Sequence, residues 1–180
     1  MIICDGYVSP EEMLARFYAK ELVERCDDTR RVTPELMQAA IECGDMSAED
    51  ADTQAAVTAA LSRLRRACED ANSEISVALD TGGVGNVSEA GETLLKALGC
   101  DIALFLLAAG TVIQAGSEDV SGEKNLVYLR SRQARDRLRD IAAGKLTIGV
   151  RAGAAATGYT GLPSVSAPPR VFARSTLDRY

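Results

Sequence analysis

Catalysis near neutral pH most often draws on histidine as the group that titrates, and this chain of 180 residues has none. What remains for acid–base work is carboxylate. The adjacent pairs Asp27-Asp28 and Glu49-Asp50 stand in loop and helix-start contexts, where a short acidic side chain caps backbone amides more readily than it shares a proton with a neighbour. The five cysteines, Cys4, Cys26, Cys43, Cys68 and Cys100, have no CxxC spacing, and without histidine a zinc site lacks its usual donors. They read as buried free thiols of a reducing compartment. The stretch "DTGGVGNVSEAG" is rich in glycine but lacks the Gly-Lys-Ser/Thr ending of a phosphate loop and follows a helical pattern instead of a strand. We read it, residues 80–91, as a flexible inter-helix loop. No catalytic, cofactor or metal site is expected, and the chain is not expected to be an enzyme.

The residues that stand out are those of an adhesive surface. The last segment, "APPRVFARSTLDRY", interleaves Phe172, Leu177 and Tyr180 with Arg170, Arg174 and Arg179. Aromatic residues and arginine are the usual anchors of protein interfaces. We assign Arg170, Phe172, Arg174, Leu177 and Tyr180 as partner-binding residues. They follow residues 151–170, in which 15 of 20 positions are Gly, Ala, Ser, Thr or Pro. Such a tether spans up to roughly 65–70 Å when extended, and Pro163, Pro168 and Pro169 stiffen it.

Charge divides the chain in the same place. From residue 151 on there are four arginines against one aspartate, and before it 16 basic against 25 acidic residues, for a net charge of −6. An acidic body has little affinity for phosphate backbones.

The elements that must carry this tip are helices. "SPEEMLARFYAKELVERC" begins with Ser9 as a cap, Pro10 at the first helical position and Glu12 at capping-box spacing. Leu14, Phe17, Tyr18 and Leu22 form its apolar stripe. A short helix follows from Thr33-Pro34-Glu35 to about Ile41, stopping near Gly44. The longest pattern runs from a Ser47 cap to about Leu79, with Val57, Leu61, Leu64, Cys68, Ala71, Ile75 and Ala78 on one seam. No second helix matches that seam, so it is expected to pack within the molecule. A nearly all-apolar helix from about Glu92 to Ala109 is the expected centre, and Asp101 within it needs a partner or water. Interrupted by Lys96 and Asp101, the stretch is also short for a membrane span. The N-terminus shows no basic region followed by an apolar run, so no secretory signal is expected.

The last helix, from about Gly122 to Ala143, turns Val127, Ala134, Leu138 and Ile141 inward. It carries Arg130, Arg132, Arg135, Arg137 and Arg139 on its other sides. "KLTIGV" alternates briefly and reads as one short strand. The expected fold is all-α: a four- to five-helix bundle with a short β segment and an extended C-terminal arm. Three parts are expected: a helical domain over 1–150, a tether over 151–169 and a binding peptide over 170–180.

The order of five of these pieces resembles the phage Mu-type head-completion proteins, the adaptors of the head–tail connector. The pieces are "SPEEMLARFYAKELVERCDD", "ACEDANSEISVAL", "LGCDIALFLL", "ARDRLRDIAAGKLTIG" and "RVFARSTLDRY". The chain departs from that pattern at Ser131, where family members often carry an aromatic, at "DTGGVGN", and in a longer Arg31–Asp52 segment.

The resemblance implies a structural protein of the virion neck, assembled in the host cytoplasm. It would form a homo-oligomeric ring of about twelve subunits below the portal protein. The ring would extend the DNA channel, let DNA pass through the lumen without specific binding, and dock a stopper or tail-terminator protein. Acidic residues between Glu42 and Asp52 are then expected near the lumen, and the arginine-rich last helix at the contact between subunits. Two other readings stay open: another neck protein such as a stopper, a class that tends to be β-rich, or a helical binding module, regulator- or antitoxin-like, that grips an acidic partner with its basic tail.

Overall fold

The computed structural model describes residues 6–115 and 126–151. Within them the fold is all-α, with six helices and one pair of short strands. The tether and the binding peptide expected beyond residue 151 lie outside the described residues.

Two short N-terminal helices replace the single one expected. Ser9 accepts the Glu12 amide through its hydroxyl and starts α1 (Pro10–Arg16). Phe17 and Tyr18 are then extended, and α2 (Ala19–Cys26) begins afresh. The reason lies in the helical period. At about 100° per residue, a straight helix would put Leu22 on the side opposite Met13. The break lets both face the core, where each is fully buried, and turns Tyr18 out to 87% exposure. Only the Ser9 half of the capping box forms, because the Glu12 carboxylate is drawn 2.6 Å from the Lys96 ammonium on a later helix.

Helix α3 (Pro34–Ile41) is capped by the Thr33 hydroxyl as its sequence requires. The cap of helix α4 (Ala51–Gly82) lies three residues after the expected one: Asp50, not Ser47, accepts the Thr53 amide at 2.9 Å. Ser47 is used earlier, donating its hydroxyl to Asp45. The apolar seam of α4 is buried along its length except for Leu61, which is half-buried.

The glycine-rich stretch is ordered, contrary to the flexible loop expected. Asp80–Gly82 complete α4, and Gly83 caps it with φ 61°, a left-handed conformation that glycine adopts without strain. Val84–Val87 then form β1, which pairs antiparallel with β2 (Gly149–Arg151) through a bulge between Val84 and Asn86. A lone strand would leave its backbone groups unpaired; the partner of "KLTIGV" is thus the segment that looked least structured. A Cβ at Gly149 would strike the Asn86 carbonyl, so only glycine permits this pairing. Ser88 then joins the pair to the next helix, donating to the Ile148 carbonyl and accepting the Gly91 amide.

Helix α5 (Glu89–Ala115) is longer than expected at both ends and packs against α4 and α6 (Leu126–Ala142). These three helices form the main core. Ile75, Leu64, Leu95, Ile102, Leu104 and Ile141 are fully buried there, and α1–α3 cover one side of it. Among the described residues no helix is long and apolar enough to cross a membrane.

Candidate interaction surfaces

Of the adjacent carboxylates, Asp27, Asp28 and Asp50 are engaged in local structure. Asp27 accepts from the Thr29 amide and hydroxyl and from the Val32 amide, closing the turn between α2 and α3. Burial by itself raises the Asp27 carboxyl, but these hydrogen bonds outweigh it and hold the group below its ordinary range. Asp50 is lowered by the Thr53 amide and hydroxyl, and Asp45 by the Ser47 amide and hydroxyl. In the Glu42–Asp52 segment, Glu42 accepts from the Gln38 amide and Asp52 pairs with Arg31.

The thiols at Cys26 and Cys100 are buried, and desolvation pushes each up to about 12. They are therefore protonated and poorly nucleophilic at neutral pH. Cys68 is buried as well, while Cys43 is exposed.

Asp101 finds the partner it needs. The Arg16 guanidinium grips it through both carboxylate oxygens at 3.0 and 3.1 Å, and the Asp101 side chain keeps 13% exposure. This pair ties α1 to the central helix. Arg63 reaches from α4 to the end of α2, donating to the Cys26 carbonyl and pairing with Asp28.

Helix α6 exposes Arg130, Arg132, Arg137 and Arg139. Of its five arginines, Arg135 is drawn inward. It forms a two-pronged bond to Glu74 at 2.8 and 2.9 Å and lies 5.2 Å above the Phe105 ring. The Glu74 carboxylate raises its pKa and keeps it charged. Arg139 pairs only with Asp136 one turn earlier. Arg130, Arg132 and Arg137 are exposed and make no ion pair among the described residues. Ser131, where the chain departs from the family pattern, is buried and donates to the Tyr128 carbonyl. Tyr128 in turn stacks obliquely against Phe105 with ring centres 6.0 Å apart.

Two apolar features escaped the sequence reading. One is Tyr18, exposed where the first helix breaks. The other is an open groove of about 490 Å³ between α4 and α6, with Val77, Ala78, Leu138 and Ala142 along it. Val77 stands 65% exposed there. An aliphatic residue among Ser73, Ser76, Asp80 and Thr81, off the seam, was the available signal.

The assigned residues Arg170, Phe172, Arg174, Leu177 and Tyr180 lie outside the described residues, and so do positions 122–125 of the expected last helix. No curated protein and no solved structure matches the chain. A family model described as Bacteriophage Mu, Gp36 matches residues 7–166, which takes in all six helices and both strands. On a match of that extent, the chain belongs to the bacteriophage Mu Gp36 family.

Proposed function

We propose that this phage protein is a non-catalytic component of the virion neck, an adaptor that forms a ring below the portal and extends the DNA channel. The observation that carries the proposal is the family match over residues 7–166, taken with the connector role that the resemblance implies. The helical architecture favours an adaptor over a β-rich stopper.

Ring closure needs two different surfaces of one subunit to meet head to tail. The exposed Arg130, Arg132 and Arg137 of α6 are one such surface. Its complement would be drawn from the exposed carboxylates of the N-terminal helices, Glu11, Glu24 and Glu35. The resemblance implies about twelve subunits. The overall charge of −6 leaves passing DNA weakly held, and the acidic segment between Glu42 and Asp52 would lie near the lumen.

Residues 170–180 would grip the portal or a neighbouring subunit. Phe172, Leu177 and Tyr180 would fill apolar pockets while Arg170 and Arg174 pair with carboxylates. The other face of the ring would receive the stopper or tail-terminator.

Deletion of residues 168–180 tests this reading. The shortened chain is expected to keep its helical circular-dichroism spectrum and to lose attachment to DNA-filled heads in a sedimentation assay. Attachment at the level of the full chain would remove the proposal that the arm is the clamp.

A further inference from the structure

The groove between α4 and α6 is a docking surface with an end and a direction. At one end the helices close on each other: a Cβ at Gly82 would lie 2.8 Å from the Ile141 carbonyl oxygen and 3.3 Å from the Ala142 Cα. Directly beyond Gly82 come Gly83 and β1, whose Val84 pairs with Arg151. The chain therefore leaves the described domain at the closed end of the groove. From Thr81 back to Ser73 the groove runs about 12 Å along α4.

The chain outside the structure has the length and the chemistry to fill it. A chain of the length of residues 152–169 spans on the order of 25 Å even as a random coil, and prolines extend it. That distance places residues 170–180 within easy reach of the groove in the same molecule. A tether of this size gives an effective concentration in the millimolar range, well above that of a second copy in dilute solution. The groove offers Val77, Ala78, Leu138 and Ala142 to apolar side chains, and Arg135 and Arg139 along it are already paired with Glu74 and Asp136; the segment brings Phe172, Leu177 and Tyr180. On the α4 side, Asp70 lies one turn before Glu74, just beyond the open end of the groove; it is exposed and forms no ion pair among the described residues. It complements Arg170 or Arg174.

We propose that in the unassembled chain residues 170–180 dock in the α4–α6 groove of their own subunit. The inference rests on reading that segment as a binding element, and adds where it is held before a partner takes it. Own-subunit docking shields Val77 and the aromatic tip while the chain is free.

The test uses the full chain with Phe172→p-benzoylphenylalanine, mixed from light and heavy isotope-labelled preparations and irradiated at low micromolar concentration. Mass spectrometry is expected to find cross-links from position 172 to peptides holding Val77 or Leu138, all light–light or heavy–heavy. Adding Val77→Glu, a change at an exposed position that leaves the core untouched, is expected to lower the yield about tenfold, the equivalent of a 1.4 kcal/mol loss.

Mixed light–heavy cross-links would overturn docking within one subunit. Absent cross-links, cross-links to other surfaces, or a yield indifferent to Val77→Glu would overturn the groove as the receptor. These results separate from the head-attachment assay. Loss of attachment on deleting 168–180 without groove cross-links sinks this inference alone, and groove cross-links with attachment intact sink the clamp alone.

Discussion

The two sides of the bundle spend the same kind of residue differently. Around the N-terminal layer most cations are committed to structure, Arg16 to Asp101, Lys96 to Glu12, Arg31 to Asp52 and Arg63 to Asp28, while Lys20 and Arg30 are exposed without an ion pair among the described residues. On α6, Arg130, Arg132 and Arg137 hold nothing among the described residues. Short helices bury little apolar surface and do not hold their shape alone, so α1–α3 need cross-links to the long helices. Helix α6 has Ala134, Leu138 and Ile141 buried against α4 and α5 and needs no such help. Its remaining charge enters no ion pair among the described residues, and the proposed ring contact would use it.

This contrast can be broken at graded points. The largest effect is expected at Asn72 of α4, whose side chain accepts the Val8 amide at 2.9 Å and donates to the Val8 carbonyl at 2.8 Å. Val8 is buried, so Asn72→Ala strands both backbone groups and should cost about 2–4 kcal/mol in urea unfolding. A loss below about 0.5 kcal/mol would mean that the N-terminal layer is not fastened there.

Next is Arg16→Ala, which leaves the Asp101 carboxylate with little water and no partner. With Arg16 itself well exposed, the expected loss is about 1–2 kcal/mol. It should be recovered in part by adding Asp101→Ala.

A third probe is pH. In the folded chain the Asp27 carboxyl lies below its ordinary value of 3.8, so folding favours its ionised form. Its contribution is complete above 3.8 and disappears as pH falls through the lower, folded value. Asp45 and Asp50 shift in the same direction. Acid titration followed by NMR should therefore loosen the connections around α3 before the α4–α6 core, and Asp27→Asn should flatten that early phase.

The smallest effect on stability is expected from replacing Arg130, Arg132 and Arg137 together by alanine. Each exposed change should stay within about 0.5 kcal/mol, while ring assembly on portals, followed by electron microscopy, should fail. Substantial destabilisation would show that these arginines belong with Arg16 and not with a partner.

Much of the fold was legible because its signals are local. Pro10 and Pro34 after Ser9 and Thr33 mark two helix starts, and the Val57–Ala78 seam marks the long helix by period alone. Asp101 announced its need for a partner, though not that Arg16 would meet it. The errors fell where distant segments decide. Nothing near Phe17 requires a break; the requirement comes from a core that Met13 and Leu22 must both reach. The segment at Val84–Val87 becomes a strand only because Gly149–Arg151 comes alongside. The groove was invisible for the same reason, since Val77 and Leu138 are separated widely in sequence and share a surface only after α4 and α6 pack.

By itself, then, the sequence determined the helical class, the Ser9 and Thr33 caps, the buried seam, the charge division at residue 151 and the absence of histidine. These follow from side-chain type and from periods of a few residues. Tertiary structure alone decided which arginines are consumed and which remain, where the first helix breaks, and that an apolar groove stays open beside α6. Those depend on which surfaces meet, and a contact between residues far apart in the chain leaves no trace in the spacing of either.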